Sequence, residues 1–426
     1  MTNTANVPII SATGTKGKTT TVAIIADVLQ RLNNSVLKVD TTGHFLNGER
    51  KSTLEESRAS WQLVPSVCPG RYLWEFHTNP SMASPVAVLE CSVGCSGFSG
   101  LGYRAHDVGI FLNVFEDHLG SSKRLQSKED IAHHKAFIFE RIKNGGYAVF
   151  NADDELVAGQ LHRVNTVDTA LIPVGMTFSH FDIKDHLANG GIAVTYRDKK
   201  IVILSDDDEQ IIADVTKLPW TFNGQYLPSV FNLMHSVAAL YGYYKGNLPE
   251  GISDAIEAVR LDPYGGRLTV LAAENGATII ADYAHEKVSL KTIAGLARGL
   301  TGPGGKVIGV VRLAYDRSDQ LIRETGEIIA KNYDHVVVYD KIDGHFKQPK
   351  EIRGSLFKQE GGYTSSVLAE GIKQFNDNVE RIIREDHALE RAAEIAQPND
   401  VVIVIVNDDI KRSIGFIKDS FRADFS

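Results

Sequence analysis

The chain has 426 residues, 43% hydrophobic and 23% charged, an ordinary composition for two to three folded domains. A formal net charge of −8 argues against nucleic acid or a membrane surface as the main partner, and no apolar run approaches the roughly 18 residues of a spanning helix. Three cysteines without a CxxC pair and a short polar N-terminus fit a cytoplasmic chain with neither structural zinc nor a secretory signal.

In chain order, the apolar run Val7 to Ile10 predicts a first strand. Ser11 to Thr21 follows, and Ala12, Gly17, Lys18 and Thr19 fit a phosphate-binding loop with Ala in the first Gly position. Small residues let backbone N–H groups approach phosphate oxygens. Lys18 would then reach the β- and γ-phosphates, and Thr19 would hold Mg²⁺. Val22, Ile25, Ala26 and Leu29 mark the apolar face of the next helix, whose N-terminus would favour an anion. The bland alternative is a Gly-rich turn entering a helix.

Ser35 to Asp40 reads as a second strand, ending in Thr41-Thr42-Gly43, and the region to about Pro85 lacks clear periodicity. Pro85 to Cys91 reads as a buried parallel strand with Glu90 at its carboxyl end, where open α/β sheets bind ligands. Glu90 either serves chemistry there or caps the next turn. His106 to Val114 repeats the device and leads into Glu116, Asp117 and His118, a cluster suited to metal and phosphate chemistry. A helix is predicted over 128–143, with Ile131, Ile138 and Ile142 on one stripe and Lys135 among them. Lys135 therefore either loses hydration and reacts with CO₂ to form a carbamate, an anion able to bind Mg²⁺, or snorkels to water.

Gly145 to Ala152 predicts another strand, ending at Asp153-Asp154. Short alternating segments over about 160–220 predict hairpins beside the parallel sheet, and Asp206 to Glu209 a solvated turn. Phe231 to Leu240 starts a helix, with Asn232 as a cap or a base-reading side chain. The boundary falls near Leu261 to Gly266, dividing the chain into 1–262 and 263–426. Beyond it, strands at 277–281, 306–313, 335–340 and 400–407 alternate with helical patterns, and Val401 to Val406 reads as a central parallel strand. The fold class is α/β: a P-loop nucleotide-binding domain with a mostly parallel sheet, then a doubly wound Rossmann-like domain.

These landmarks resemble the Mur ligase family. The matching stretches are Gly14-Thr15-Lys16-Gly17-Lys18-Thr19-Thr20, Glu90, Asn113 to Leu119, Lys135, Asn232, Gly266-Arg267 and Asp282-Tyr283-Ala284-His285. Within the family, the Glu-Asp-His-Leu-Gly, Asn-Ala-Asp-Asp and Asp-Tyr-Ala-His stretches are similar to the ligase half of cyanophycin synthetase. The resemblance implies an ATP-dependent ligase: a carboxylate becomes an acyl phosphate, an amine attacks it, and an amide, ADP and phosphate leave. It implies Mg²⁺ ligands at Thr19, Glu90 and His118, and a carbamylated Lys135. Lys18 would offset charge on the phosphoryl group and Asn232 would read adenine. Arg267, Asp282 and His285 would serve the nucleotide, and Asp316 and Arg317 the incoming substrate.

Several residues depart from the family pattern. Lys16 replaces a common Asn, Glu286-Lys287 replace Asn-Pro or Thr-Pro, and His235 stands where a second Asn is usual. The phosphate loop starts near residue 11, so no N-terminal UDP-precursor domain is expected. The expected substrates are a small or peptide-like carboxylate and an amino acid or other amine. The carboxylate is held by these domains or delivered by a partner protein, and a homodimer is open. The alternative from another class is a nucleotide-binding regulatory subunit that forms no amide.

Overall fold

The computed structural model describes residues 7–53, 64–78, 82–95, 100–116, 124–164, 168–206, 208–262, 268–314, 317–341, 362–407 and 409–425. Residues up to 116 and from 124 to 261 belong to one compact unit, and residues from 262 onward to a second.

The first unit is built on the strands β1 (Ile9–Thr13), β2 (Ser35–Asp40), β3 (Gly43–Leu46), β4 (Glu49–Thr53), β5 (Pro85–Glu90) and β6 (His106–Phe111). Next come β7 (Ile142–Asn151), β8 (Ala170–Val174), β9 (Ala193–Arg197), β10 (Lys200–Leu204) and β11 (Glu209–Asp214). They form one 11-stranded sheet in the order β11-β10-β9-β8-β7-β6-β1-β5-β2-β3-β4. From β9 to β2 the pairs are parallel, and antiparallel hairpins extend both ends. All five residues of β1 are buried, as in a parallel strand covered on both faces.

Helix α1 (Lys18–Arg31) buries Ile24 and Val28 as well as Val22, Ile25, Ala26 and Leu29. Its apolar surface is wider than one stripe because it packs in a core shared with α3 (Leu227–Tyr243), whose middle is apolar nearly all round. Each such side chain contributes about 1.5–3 kcal/mol of transfer free energy.

Several expected elements differ. The helix predicted over 128–143 stops early: α2 (Lys128–Lys135) ends at Ala136, one turn follows at Phe137–Glu140, and Ile142 already begins β7. β-sheet pairing of Ile142 with His106 overrides the helical spacing of the isoleucines. Asn232 lies inside α3, five residues after its first residue, so it is not a cap. Glu209 belongs to β11 and not to a turn. The hairpin β3–β4 arises in a stretch without legible periodicity.

The second unit carries β12 (Thr269–Ala272), β13 (Thr278–Asp282), β14 (Val307–Val311), β15 (His335–Val338), β16 (Val379–Arg381), β17 (Val401–Ile405) and β18 (Asp424–Phe425). Their order is β16-β15-β14-β17-β13-β12-β18, so β17 is central, and its five residues are all buried. The helices are α4 (Lys287–Leu300), α5 (Asp319–Asn332), α6 (Tyr363–Lys373), α7 (Glu385–Ile395) and α8 (Ile410–Phe421). Among the described residues, no helix is long and apolar enough to cross a membrane.

Two buried histidines are expected to make the fold acid-sensitive. His106 Nε2 donates to the Ile138 carbonyl at 2.7 Å, and His235 Nδ1 donates to the Phe231 carbonyl at 2.7 Å. Burial pushes each imidazole down to about 4. Between pH 6.5 and 4 the unfolded chain therefore takes up protons that the folded chain refuses, so stability falls as pH falls. The expected loss is about 3 kcal/mol per histidine across that window. Urea unfolding at pH 7 and pH 4.5 checks it. His106→Gln should show a shallower decline than the parent chain, and equal slopes would contradict the assignment.

Candidate functional site

The site begins where β1 runs into α1. Gly14 and Gly17 have φ of +149° and +83°, backbone that side-chain-bearing residues avoid. A Cβ on Gly17 would lie 2.2 Å from Asn232 Oδ1, and one on Gly14 would lie 2.8 Å from Leu112 Cβ. Gly17→Ala is thus expected to destabilise the protein by about 2 kcal/mol or more. Gly276→Ala is the reference, since its φ is +87° but its nearest neighbour is 3.7 Å away. Equal urea midpoints for the two variants would remove the close-approach argument.

Asn113 clamps the loop, a role that sequence reasoning missed. Its Oδ1 accepts from Lys16 N at 2.8 Å, its Nδ2 donates to Lys16 O at 3.1 Å, and its carbonyl accepts from Thr15 N at 3.0 Å. Thr15 Oγ1 in turn accepts from Phe115 N at 3.0 Å. The amides of Thr15 and Lys16 are therefore occupied by protein. Helix α1 opens at Gly17 with no side-chain cap and no acidic residue in its first turn. Such an N-terminus directs N–H groups and positive potential at an anion. Thr20 lies in this first turn, half-buried.

Two lysines converge on one carbonyl. Lys18 Nζ donates to Gly14 O at 2.9 Å and to Thr15 O at 3.0 Å. Lys135 Nζ, from the end of α2, donates to the same Gly14 O at 2.8 Å. Lys135 is 5% exposed, so its side chain turns into the site and does not snorkel to water. The two side-chain nitrogens therefore meet at the mouth of the same loop.

Glu90 ends β5 beside Ala12 of β1 and is 2% exposed. Its Oε2 accepts from Thr19 Oγ1 at 2.8 Å and from Thr41 N at 3.3 Å, and its Oε1 accepts from Thr41 Oγ1 at 2.7 Å. A carboxylate and a hydroxyl at the mouth of an anion-seeking loop are hard oxygen donors that suit Mg²⁺. The Thr19–Glu90 contact is the observation on which the metal fit rests.

Asn232 packs its amide against Gly17, with Thr21 Oγ1 reaching its Oδ1 at 3.5 Å. Asp153 and Asp154 anchor turns: Asp153 accepts from Met176 N at 2.6 Å, and Asp154 accepts from Val114 N at 2.8 Å.

In the second unit, Asp282 ends β13 and its Oδ2 accepts from Leu268 N at 2.8 Å. His285 Nδ1 donates to the Tyr283 carbonyl at 2.7 Å, and Arg312 lies over the Tyr283 ring at 4.7 Å. Arg317 is buried. Glu286 caps α4, accepting from Val288 N and Ser289 N at 2.7 Å each, so it is committed to the helix end. His118, Arg267 and Asp316 lie outside the described residues.

The Mur ligase middle domain matches residues 12–205, and the Mur ligase glutamate ligase domain matches residues 266–405. The chain is 27% identical over 427 aligned residues to cyanophycin synthetase of Nostoc sp. strain PCC 7120, covering 97% of this chain and 42% of that protein. It thus spans less than half the length of that relative. Its fold is similar to MurF ligase from Thermotoga maritima in complex with ADP, with TM-score 0.62, 16% identity and coverage of 98% of this chain and 80% of that one. It is also similar to a bifunctional folylpolyglutamate synthase/dihydrofolate synthase with Mn, AMPPNP and L-glutamate bound, with TM-score 0.62, 17% identity and coverage of 96% and 89%.

Proposed function

The chain belongs to the Mur ligase family, and on that premise we propose that it is an ATP-dependent carboxylate–amine ligase. The observation that carries this reading is the convergence at the loop: Lys18 and Lys135 share the Gly14 carbonyl, while Glu90 takes the Thr19 hydroxyl. Binding Mg²⁺ and nucleotide accounts for Lys18, Thr19 and Glu90, whereas the second buried lysine, Lys135, favours a site that also transfers the phosphoryl group.

In this reading the α1 N-terminus and Lys18 hold the β- and γ-phosphates of ATP and stabilise charge on the phosphoryl group in flight. The substrate carboxylate takes that phosphoryl group to give an acyl phosphate and ADP. The neutral amine then attacks the acyl carbon, the acyl C–O bond to phosphate breaks, and the nitrogen gives up a proton, leaving an amide and inorganic phosphate. Thr19, Glu90 and His118 would hold Mg²⁺, which when bound neutralises phosphate charge. Asn232 reads the base. Arg267, Asp282 and His285 are assigned to the nucleotide, and Asp316 and Arg317 to the incoming amine substrate.

Lys135 is proposed to react as its neutral amine with CO₂, forming N-carboxylysine and releasing a proton. Its buried Nζ beside the loop supports this assignment. The carbamate would place an anion where a second cation could bind. The carboxylate substrate is recognised by loops of this chain or brought by a partner protein. The three free thiols fit a reducing compartment, and we assign the cytoplasm.

The test is ATP turnover by the purified protein with Mg²⁺, bicarbonate and pools of carboxylates and amines, followed by mass spectrometry. ADP and phosphate that require both pools, with a product lighter by one water than its two parts, are the expected result. Nucleotide binding without amine-dependent turnover across the pools, or with a delivering partner added, would overturn the reading.

A further inference from the structure

Glu90 is oriented by a residue that the proposed chemistry above does not use. A carboxylate turns about its last bond on a broad, soft profile, so burial alone does not set its plane. Here both oxygens are held, and one residue touches both: Thr41 donates its hydroxyl to Oε1 at 2.7 Å and its N–H to Oε2 at 3.3 Å. Thr41 is itself presented by a charged turn. Asp40 Oδ1 accepts from Thr42 N at 2.8 Å and from Thr42 Oγ1 at 2.6 Å, while Asp40 Oδ2 pairs with Lys38 Nζ at 2.9 Å. Arg50 Nη2 holds the Thr42 carbonyl at 2.6 Å from the β3–β4 hairpin. Asp40 is 1% exposed, so the turn is anchored inside the unit.

We propose that Thr41 is a positioning residue that sets the plane of the Glu90 carboxylate, and through it the affinity of the phosphate loop for a divalent cation. The proposal rests on the ligase reading, in which Thr19 and Glu90 hold Mg²⁺. The chain of contacts runs from the Lys38–Asp40 pair through the turn to Thr41, Glu90, Thr19 and the loop. Partners that orient a metal-binding carboxylate commonly change metal affinity 10- to 100-fold when removed. Thr41→Val keeps the shape and removes the hydroxyl donor. Thr41→Ser restores it.

The experiment is calorimetric titration of the full chain with ADP over a series of Mg²⁺ concentrations, for the parent chain, Thr41→Val and Thr41→Ser. Thr41→Val is expected to raise the Mg²⁺ midpoint about 10-fold or more, with metal-free ADP affinity unchanged. Thr41→Ser should return the midpoint to near the parent value. An unchanged midpoint in Thr41→Val, while the parent binds Mg²⁺ and ADP together, overturns the positioning role alone. So does an equal loss of metal-free binding and folding that Thr41→Ser does not rescue. A parent chain whose ADP binding ignores Mg²⁺ overturns the ligase reading and this proposal together.

Discussion

Lys18→Ala is expected to lower ATP turnover about 10²- to 10³-fold, the usual size for removing one preorganised stabiliser of transition-state charge. The loss should fall on kcat, because in the proposed reaction the Lys18 side chain would meet the charge that grows on the transferred phosphoryl group. Folding should be nearly untouched. Lys18 stands in the first turn of α1, where Ala is a good helix former, and Gly14 O keeps its bond from Lys135 Nζ. Steady-state turnover and urea unfolding on the same preparation separate the two effects. A Lys18→Ala enzyme with parental turnover would sink the phosphate-loop assignment.

Glu90 calls for two variants because it combines shape and charge. Glu90→Ala strands the Thr19 and Thr41 hydroxyls and the Thr41 N–H in a buried site, an expected stability loss of about 1–3 kcal/mol with turnover down at least about 10²-fold. Glu90→Gln keeps the volume and one acceptor oxygen but removes the negative charge. It should fold nearly as well as the parent while its Mg²⁺ requirement rises about 10-fold or more. A Glu90→Gln protein with parental Mg²⁺ dependence would mean that the carboxylate is structural. The two variants together locate the defect, since only a charge requirement spares the fold and moves the metal dependence.

Local chemistry made much of the site legible. A loop of small residues followed by Lys-Thr and an amphipathic helix has few physical readings, so Lys18 and Thr19 could be named from spacing alone. Glu90 was legible because an all-apolar run ended in a carboxylate. Lys135 was legible because a lysine fell within a stripe of isoleucines, even though the helix carrying it proved shorter than its period suggested.

The illegible parts share one cause: each depends on which distant segments become neighbours. The backbone clamp by Asn113 joins residues 97 apart, and Thr41 meets Glu90 across 49. Glu286 offers an acidic charge in sequence and a helix cap in space, because the first N–H groups of α4 consume it. Asn232 reads as a cap or a base reader from local sequence, and only the start of α3 at Leu227 excludes the cap.

The sequence by itself determined the fold class and named the phosphate loop with its candidate Mg²⁺ ligands, because fold class follows from short-range periodicity and the candidates from residue type at strand ends. Only the tertiary structure decided that two lysines meet at the Gly14 carbonyl and that Glu90 is held at both oxygens. The order of strands β5, β1 and β6 in the sheet brings those side chains together, and long-range backbone pairing sets that order.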